Sequence, residues 1–231
     1  MATATQLSKL TEIDYPDSDG MPMADNTLQY EWIVTIKGGL DAMYSERLDV
    51  FVAGDLLWYP VKGEPTIRIA PDAMVAFGRP KGYRGSYKQW EEANVPPQVV
   101  FEVLSPGNRP AEMERKLRFY EQYGVQEYYL YDPDNGPLQG WLRAGDHFER
   151  IPEMAGFISP LLQIRFEPGE GADNLKIFGP DGTRFLTFQE WVDQSRASQR
   201  NADEERQRAA AASDRAERLA AKLRELGVEP D

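Results

Sequence analysis

The chain has 231 residues, no cysteine, one histidine and a formal net charge of −12. These counts exclude disulfides, thiol chemistry, cysteine-ligated zinc and any multi-histidine metal site. The acidity argues against strong nonspecific nucleic-acid binding, which needs a basic face, but leaves room for a local basic groove or for a carboxylate site that works with divalent cations.

A length of 231 residues is enough for one buried core plus an appendage, and 41% hydrophobic residues is ordinary for a soluble globular protein. No run of eighteen apolar residues is present, so no membrane span is expected. Met1–Ser8 lacks the charged-then-apolar form of a secretory leader, and the missing thiols suit a reducing compartment, so a cytoplasmic protein is expected. Residues 1–24 carry little periodicity and read as irregular; Tyr15–Pro22 is turn material.

Asp25-Asn26 can cap a helix running through Leu28, Trp32, Ile33, Ile36 and Leu40, which recur at three- and four-residue steps. A strand is expected over 50–59, with a buried-looking acid, Asp55, inside it. A second runs through Ile67–Phe77 and carries Asp72 just after Pro71. Residues 78–97, rich in Gly, Lys, Arg and Tyr, read as a long exposed loop.

Gln98–Leu104 is the most apolar strand, with Glu102 embedded in it. A helix from about Arg109 to Tyr123 follows, with Leu117, Tyr120 and Tyr123 on its inner face and Gly124 as its C-terminal stop. Glu127–Asp132 reads as a strand. Segments around 141–151, with His147 in a surface hairpin, and then 162–166 and 175–178, suggest a meander. The order of elements gives a mixed α/β (α+β) domain over 25–190. From residue 191 onward a single helix is expected. Ala202, Ala209, Ala212, Ala216, Leu219, Leu223 and Leu226 fall at heptad-like steps, interrupted by Glu205. That pattern suits a coil joining two copies, or a solvated single helix.

The chemistry centres on Asp72 and Glu102. A carboxylate inside an apolar strand is costly unless it is paired or binds a cation. Two such carboxylates on neighbouring strands can share one hard cation, Mg²⁺ or Mn²⁺, which activates water and stabilises charge on a phosphoryl group. A lysine would help there. Two residues past Glu102 the chain has Leu104, so the candidate is Lys116 on the following helix, four residues after Glu112 on the same face. The competing readings are structural: Asp72 as a turn residue, and Glu102 as a buried partner of Arg109, Arg115 or Lys116. A glycosidase built on the same two acids leaves the ordered motif set unexplained.

That set is Pro71-Asp72, then Glu102-Val103-Leu104-Ser105-Pro106, then Lys116 and Tyr120, then Tyr123–Pro133. It resembles the Uma2 family, a restriction-endonuclease-like group in the PD-(D/E)XK nuclease superfamily. The resemblance covers roughly residues 25–190. It implies a mixed β-sheet flanked by helices and a Mg²⁺-dependent endonuclease acting on DNA. It also implies Asp72 and Glu102 as metal ligands, the Val103 backbone carbonyl as a further ligand, Lys116 as a displaced catalytic lysine, and Glu31 as a candidate acid from the first helix. The leucine-containing C-terminal coil resembles tails attached to this family and implies a homo-oligomer, such as a dimer. The alternative is an inactive nuclease-fold scaffold that binds a partner through the coil.

Overall fold

The computed structural model describes residues 13–169 and 175–226. Residues 1–12 of the irregular segment, 170–174, and 227–231 of the tail lie outside the described residues. The chain divides into two compact units, Met1–Thr187 and Phe188–Asp231.

The first unit begins with helix α1 (Thr27–Met43). Asn26 caps it by accepting the Gln29 N–H at 2.8 Å, and Gln29 Oε1 accepts the Asp25 N–H at 2.8 Å. The first bond satisfies a donor that a bare helix start would strand, and the second ties the residue before the cap back to the helix. Strands β1 (Val50–Ala53), β2 (Trp58–Tyr59), β3 (Ala73–Phe77), β4 (Tyr87–Lys88) and β5 (Val99–Val103) follow. Helix α2 (Pro110–Gln122) precedes β6 (Glu127–Tyr131), β7 (Leu138–Ala144), β8 (His147–Arg150), β9 (Arg165–Glu167) and β10 (Lys176–Phe178).

A six-stranded sheet runs β1-β3-β5-β6-β7-β8. Its β5/β6 pair is parallel and the others are antiparallel. A parallel pair needs a crossover, and α2 is that crossover. The sheet is apolar on both faces. Val99, Phe101, Val103, Tyr129 and Tyr131 pack toward Trp32, Ile33 and Ile36 of α1 and toward Phe166 and Ile177 of the β9/β10 ribbon. Met74, Ala76, Val100, Tyr128 and Leu130 pack toward Tyr120 of α2, with Trp58 and Tyr87. This is the expected mixed α/β sheet with helices on its faces.

Three expectations change in detail. The strand over 50–59 is two strands, because Gly54-Asp55 turns the chain. Asp55 has φ 49°, and its N–H reaches Pro71 O at 3.0 Å. Asp55 is exposed in this turn, not buried. Residues 67–72 enter no strand; Ile69 makes a single bridge to Trp58. The loop 78–97 contains β4, which pairs in parallel with β2, and a 3₁₀ turn at Gln89–Glu91. Gly124 does end α2, with φ 95°, and His147 lies in the expected hairpin, turned at Gly145.

Glu127 is a second buried acid of the sheet, 1% exposed. It accepts hydrogen bonds from the Tyr129 hydroxyl at 2.8 Å, from Ser159 Oγ, and from the Leu161 N–H at 2.7 Å. Burial raises its pKa, and these three donors only partly pull it back. A carboxyl raised in the folded state binds its proton more tightly there than in the unfolded chain. Its stabilisation is therefore full below the ordinary glutamate value and lost as pH rises through the raised folded value. Urea unfolding midpoints from acidic to neutral pH should show this decline in the wild type and a flatter profile in Glu127→Gln. Equal slopes would remove Glu127 from the pH dependence.

The second unit is helix α3 (Phe188–Glu225), 38 residues long. Its described side chains are exposed along nearly its whole length, Trp191 and Leu219 among them. No helix among the described residues is long and apolar enough to cross a membrane.

Candidate active site

The β3/β5 register sets the two acids against each other. Ala73 pairs with Phe101, so one step back along β3 places Asp72 opposite Glu102. Residues opposite one another on adjacent strands point to the same face. Here that face looks at α2. Asp72 is 8% exposed and Glu102 2%.

Two side chains one turn apart on α2 close over Glu102. Lys116 Nζ donates to Oε2 at 2.7 Å, and the Tyr120 hydroxyl donates to Oε1. Asp72 instead turns toward the main chain: its Oδ2 accepts the Val103 N–H at 2.6 Å. The carbonyl of the same residue, Val103, accepts from Gln29 Nε2 at 2.8 Å. Side chains from two distant segments thus hold the main chain beside Glu102.

The electrostatics follow from burial. Desolvation, then the neighbouring Glu102 charge, pushes the Asp72 carboxyl well above the ordinary aspartate value, although Lys116 and the Val103 N–H pull the other way. For Lys116 burial works against the ammonium, but the Glu102 and Asp72 carboxylates outweigh it and the pKa is raised. Lys116 is therefore a cation at neutral pH. Tyr120 is raised well above the ordinary phenol value by burial and by Glu102, so it remains a donor.

The residues fit one hard divalent cation. The donors are all oxygen, which suits Mg²⁺ or Mn²⁺. Among the described residues, Asp72 uses Oδ2 for its hydrogen bond, leaving Oδ1 for another partner. Beside the pair lies a buried polar atom without a hydrogen-bond partner among the described residues, the Tyr128 hydroxyl. Its ring lies 5.2 Å from that of Tyr120. A buried hydroxyl of this kind normally has a water or an ion near it. No group of three or more His, Cys, Asp and Glu side chains that could hold a metal is found among the described residues. A cation here would have at most two carboxylates and a main-chain oxygen as protein ligands, and a Mg²⁺ held by so few groups keeps several waters.

The structure brings together Asp72, Glu102, Val103 and Lys116. It does not bring Glu31, which is exposed. On a helix, a residue two places from Gln29 faces away from it, and Gln29 is the α1 side chain that reaches the site. The sequence reading missed Gln29, although a signal was there: it shares the spacing of Ile33, Ile36 and Leu40, and Asn26-x-x-Gln29 is a capping-box pattern. Tyr120 was legible as an inner-face residue, but not as a donor to Glu102. Of the cations weighed as partners for Glu102, Lys116 makes the ion pair.

No curated protein matches the chain significantly. Among solved structures, it is similar to one described as a "putative nuclease belonging to DUF820" from Anabaena variabilis ATCC 29413. That similarity is at 14% identity and a TM-score of 0.44, covering 69% of this chain and 89% of that one. A family model described as "Putative restriction endonuclease" matches residues 29–156, more than half of the chain, a span that takes in Gln29, Asp72, Glu102, Val103, Lys116 and Tyr120. The chain belongs to the Uma2 family.

Proposed function

We propose that the protein is a Mg²⁺- or Mn²⁺-dependent endonuclease that hydrolyses phosphodiester bonds of DNA. The observation that carries this reading is the Asp72/Glu102 pair, two buried carboxylates on one sheet face with a lysine ammonium 2.7 Å from one of them. Family membership supports the nuclease class.

Asp72, Glu102 and the Val103 carbonyl would hold the cation. When bound, such a cation supplies a more acidic water and charge stabilisation at the phosphoryl oxygens. The chain's own residues supply the rest. Lys116, held protonated, orients a water by donating to it and offsets negative charge developing on the phosphate, as a donor and not as a base. Tyr120 fixes the Glu102 carboxylate from the other oxygen. Gln29 holds the Val103 carbonyl and Asp72 the Val103 N–H, so the main chain is pinned on both sides of this residue.

A second reading, an inactive scaffold, draws on one observation: both Glu102 oxygens already have protein donors. Calorimetric titration with Mn²⁺ and plasmid cleavage in Mg²⁺ separate the two. On the nuclease reading the wild type binds and cleaves, while Asp72→Asn and Glu102→Gln do neither. No binding and no cleavage by the wild type would leave the scaffold.

We also assign α3 to self-association. Its exposed Leu219 and Leu226 lie on the heptad stripe, and apolar seams of that spacing are buried by pairing. Sedimentation equilibrium of the full chain should give a dimer that Leu219→Asp converts to monomer. A monomeric wild type would end this assignment.

A further inference from the structure

Beside Lys116 lies a groove of about 610 Å³ between α2 and residues 66–69. This volume is in the range of small-ligand pockets. Its lining is of two kinds. Ile67, Phe119 and Tyr123 are apolar or aromatic, and Arg68, Arg115 and Arg118 are cationic, with both kinds on the α2 wall and on the 66–69 wall.

The aromatic part is a firm platform. The Phe119 and Tyr123 rings lie 4.6 Å apart, and Trp58 backs both at 5.6 and 6.3 Å. Trp58 itself is fully buried. The cationic part stands out on a chain of net charge −12. Glu114 pairs with Arg118 and offsets part of it. Arg115 is exposed, and Arg68 reaches the Tyr59 hydroxyl at 3.4 Å.

We propose that this groove holds an unpaired stretch of nucleic-acid strand and feeds it to the carboxylate pair at Lys116. The inference deepens the nuclease reading and rests on it for the direction of feeding. A duplex keeps its base faces stacked inside and offers a protein mainly phosphates, so the aromatic part of this lining would meet nothing suited to it. An unpaired strand presents both chemistries together: phosphates for the guanidinium groups, and base faces for the Phe119/Tyr123 platform.

The test is fluorescence anisotropy of the full chain in EDTA, where binding is read without cleavage. The probes are a fluorescein-labelled oligo-dT and a blunt duplex of the same length, with an oligo-rU arm to separate RNA from DNA as the source of the strand. The single strands should bind at least about tenfold tighter than the duplex. Arg115→Ala should weaken binding and reduce the salt slope by about one. Tyr123→Leu should weaken single-strand binding without changing that slope, because stacking releases no counterions. Arg115 is exposed, so its variant leaves the fold intact if the aromatic variant does not. Equal or tighter duplex binding, no binding of any probe, or an unchanged Arg115→Ala would overturn the inference. Strand binding without cleavage in Mg²⁺ would overturn the nuclease reading alone, and duplex cleavage without strand preference would overturn this inference alone.

Discussion

Lys116→Met is expected to lower stability by about 3–5 kcal/mol, the usual result of removing one partner from a buried ion pair. Glu102 is 2% exposed in its side chain and Lys116 17%, so the ammonium that is lost cannot be replaced by bulk water. Tyr120 would remain as a donor, but it carries no charge. For a unit of this size each kcal/mol moves the melting temperature by about 2–4 °C, so a drop near 10 °C is expected by calorimetry. The paired change Lys116→Met with Glu102→Gln should recover most of it, because the stranded carboxylate is then gone. A single variant as stable as the wild type would mean that the Lys116–Glu102 pair contributes nothing to the stability of the fold.

Asp72→Asn is expected to move stability the other way. It removes a carboxyl that burial and the Glu102 charge drive well above its ordinary pKa. Asparagine can still accept the Val103 N–H through its own side-chain oxygen. Without divalent cations the variant should therefore melt higher than the wild type at neutral pH. With Mn²⁺ the order should reverse, since only the wild type gains from ligand binding. Cleavage should fall by about a thousandfold or more, matching the several kcal/mol that a bound cation contributes to phosphoryl chemistry. The crossing of the two melting curves is the diagnostic. A variant that is less stable under both conditions would make Asp72 a structural residue.

The sequence carried the large elements because their periodicities are strong. The α1 stripe, the apolar β5 and the Gly124 stop each follow from residue type. Asp72 and Glu102 stood out for the same reason: a charge in an apolar run is a local anomaly. The partner of Glu102 was harder, since Arg109, Arg115 and Lys116 lie on nearby turns and only packing selects among them. Gln29 was hidden by chemistry. It is a neutral residue in a place where an acid was sought, so Glu31 drew attention although its helical phase is wrong. The β2/β4 pair was missed because two-residue strands have no period to detect. The turn at Asp55 depends on a left-handed backbone that residue type alone does not demand of aspartate.

All five residues of β5 are buried, and neighbouring strands flank it on both edges. The amide hydrogens of such a strand exchange with solvent only when the whole unit opens. Glu102 therefore has no local breathing mode of its own. Whatever reaches the carboxylate pair must come in past Asp72 and the α2 side chains, along a path that leaves the central strand undisturbed. The price of that rigidity is that a chain too unstable to keep β5 closed also has no assembled pair.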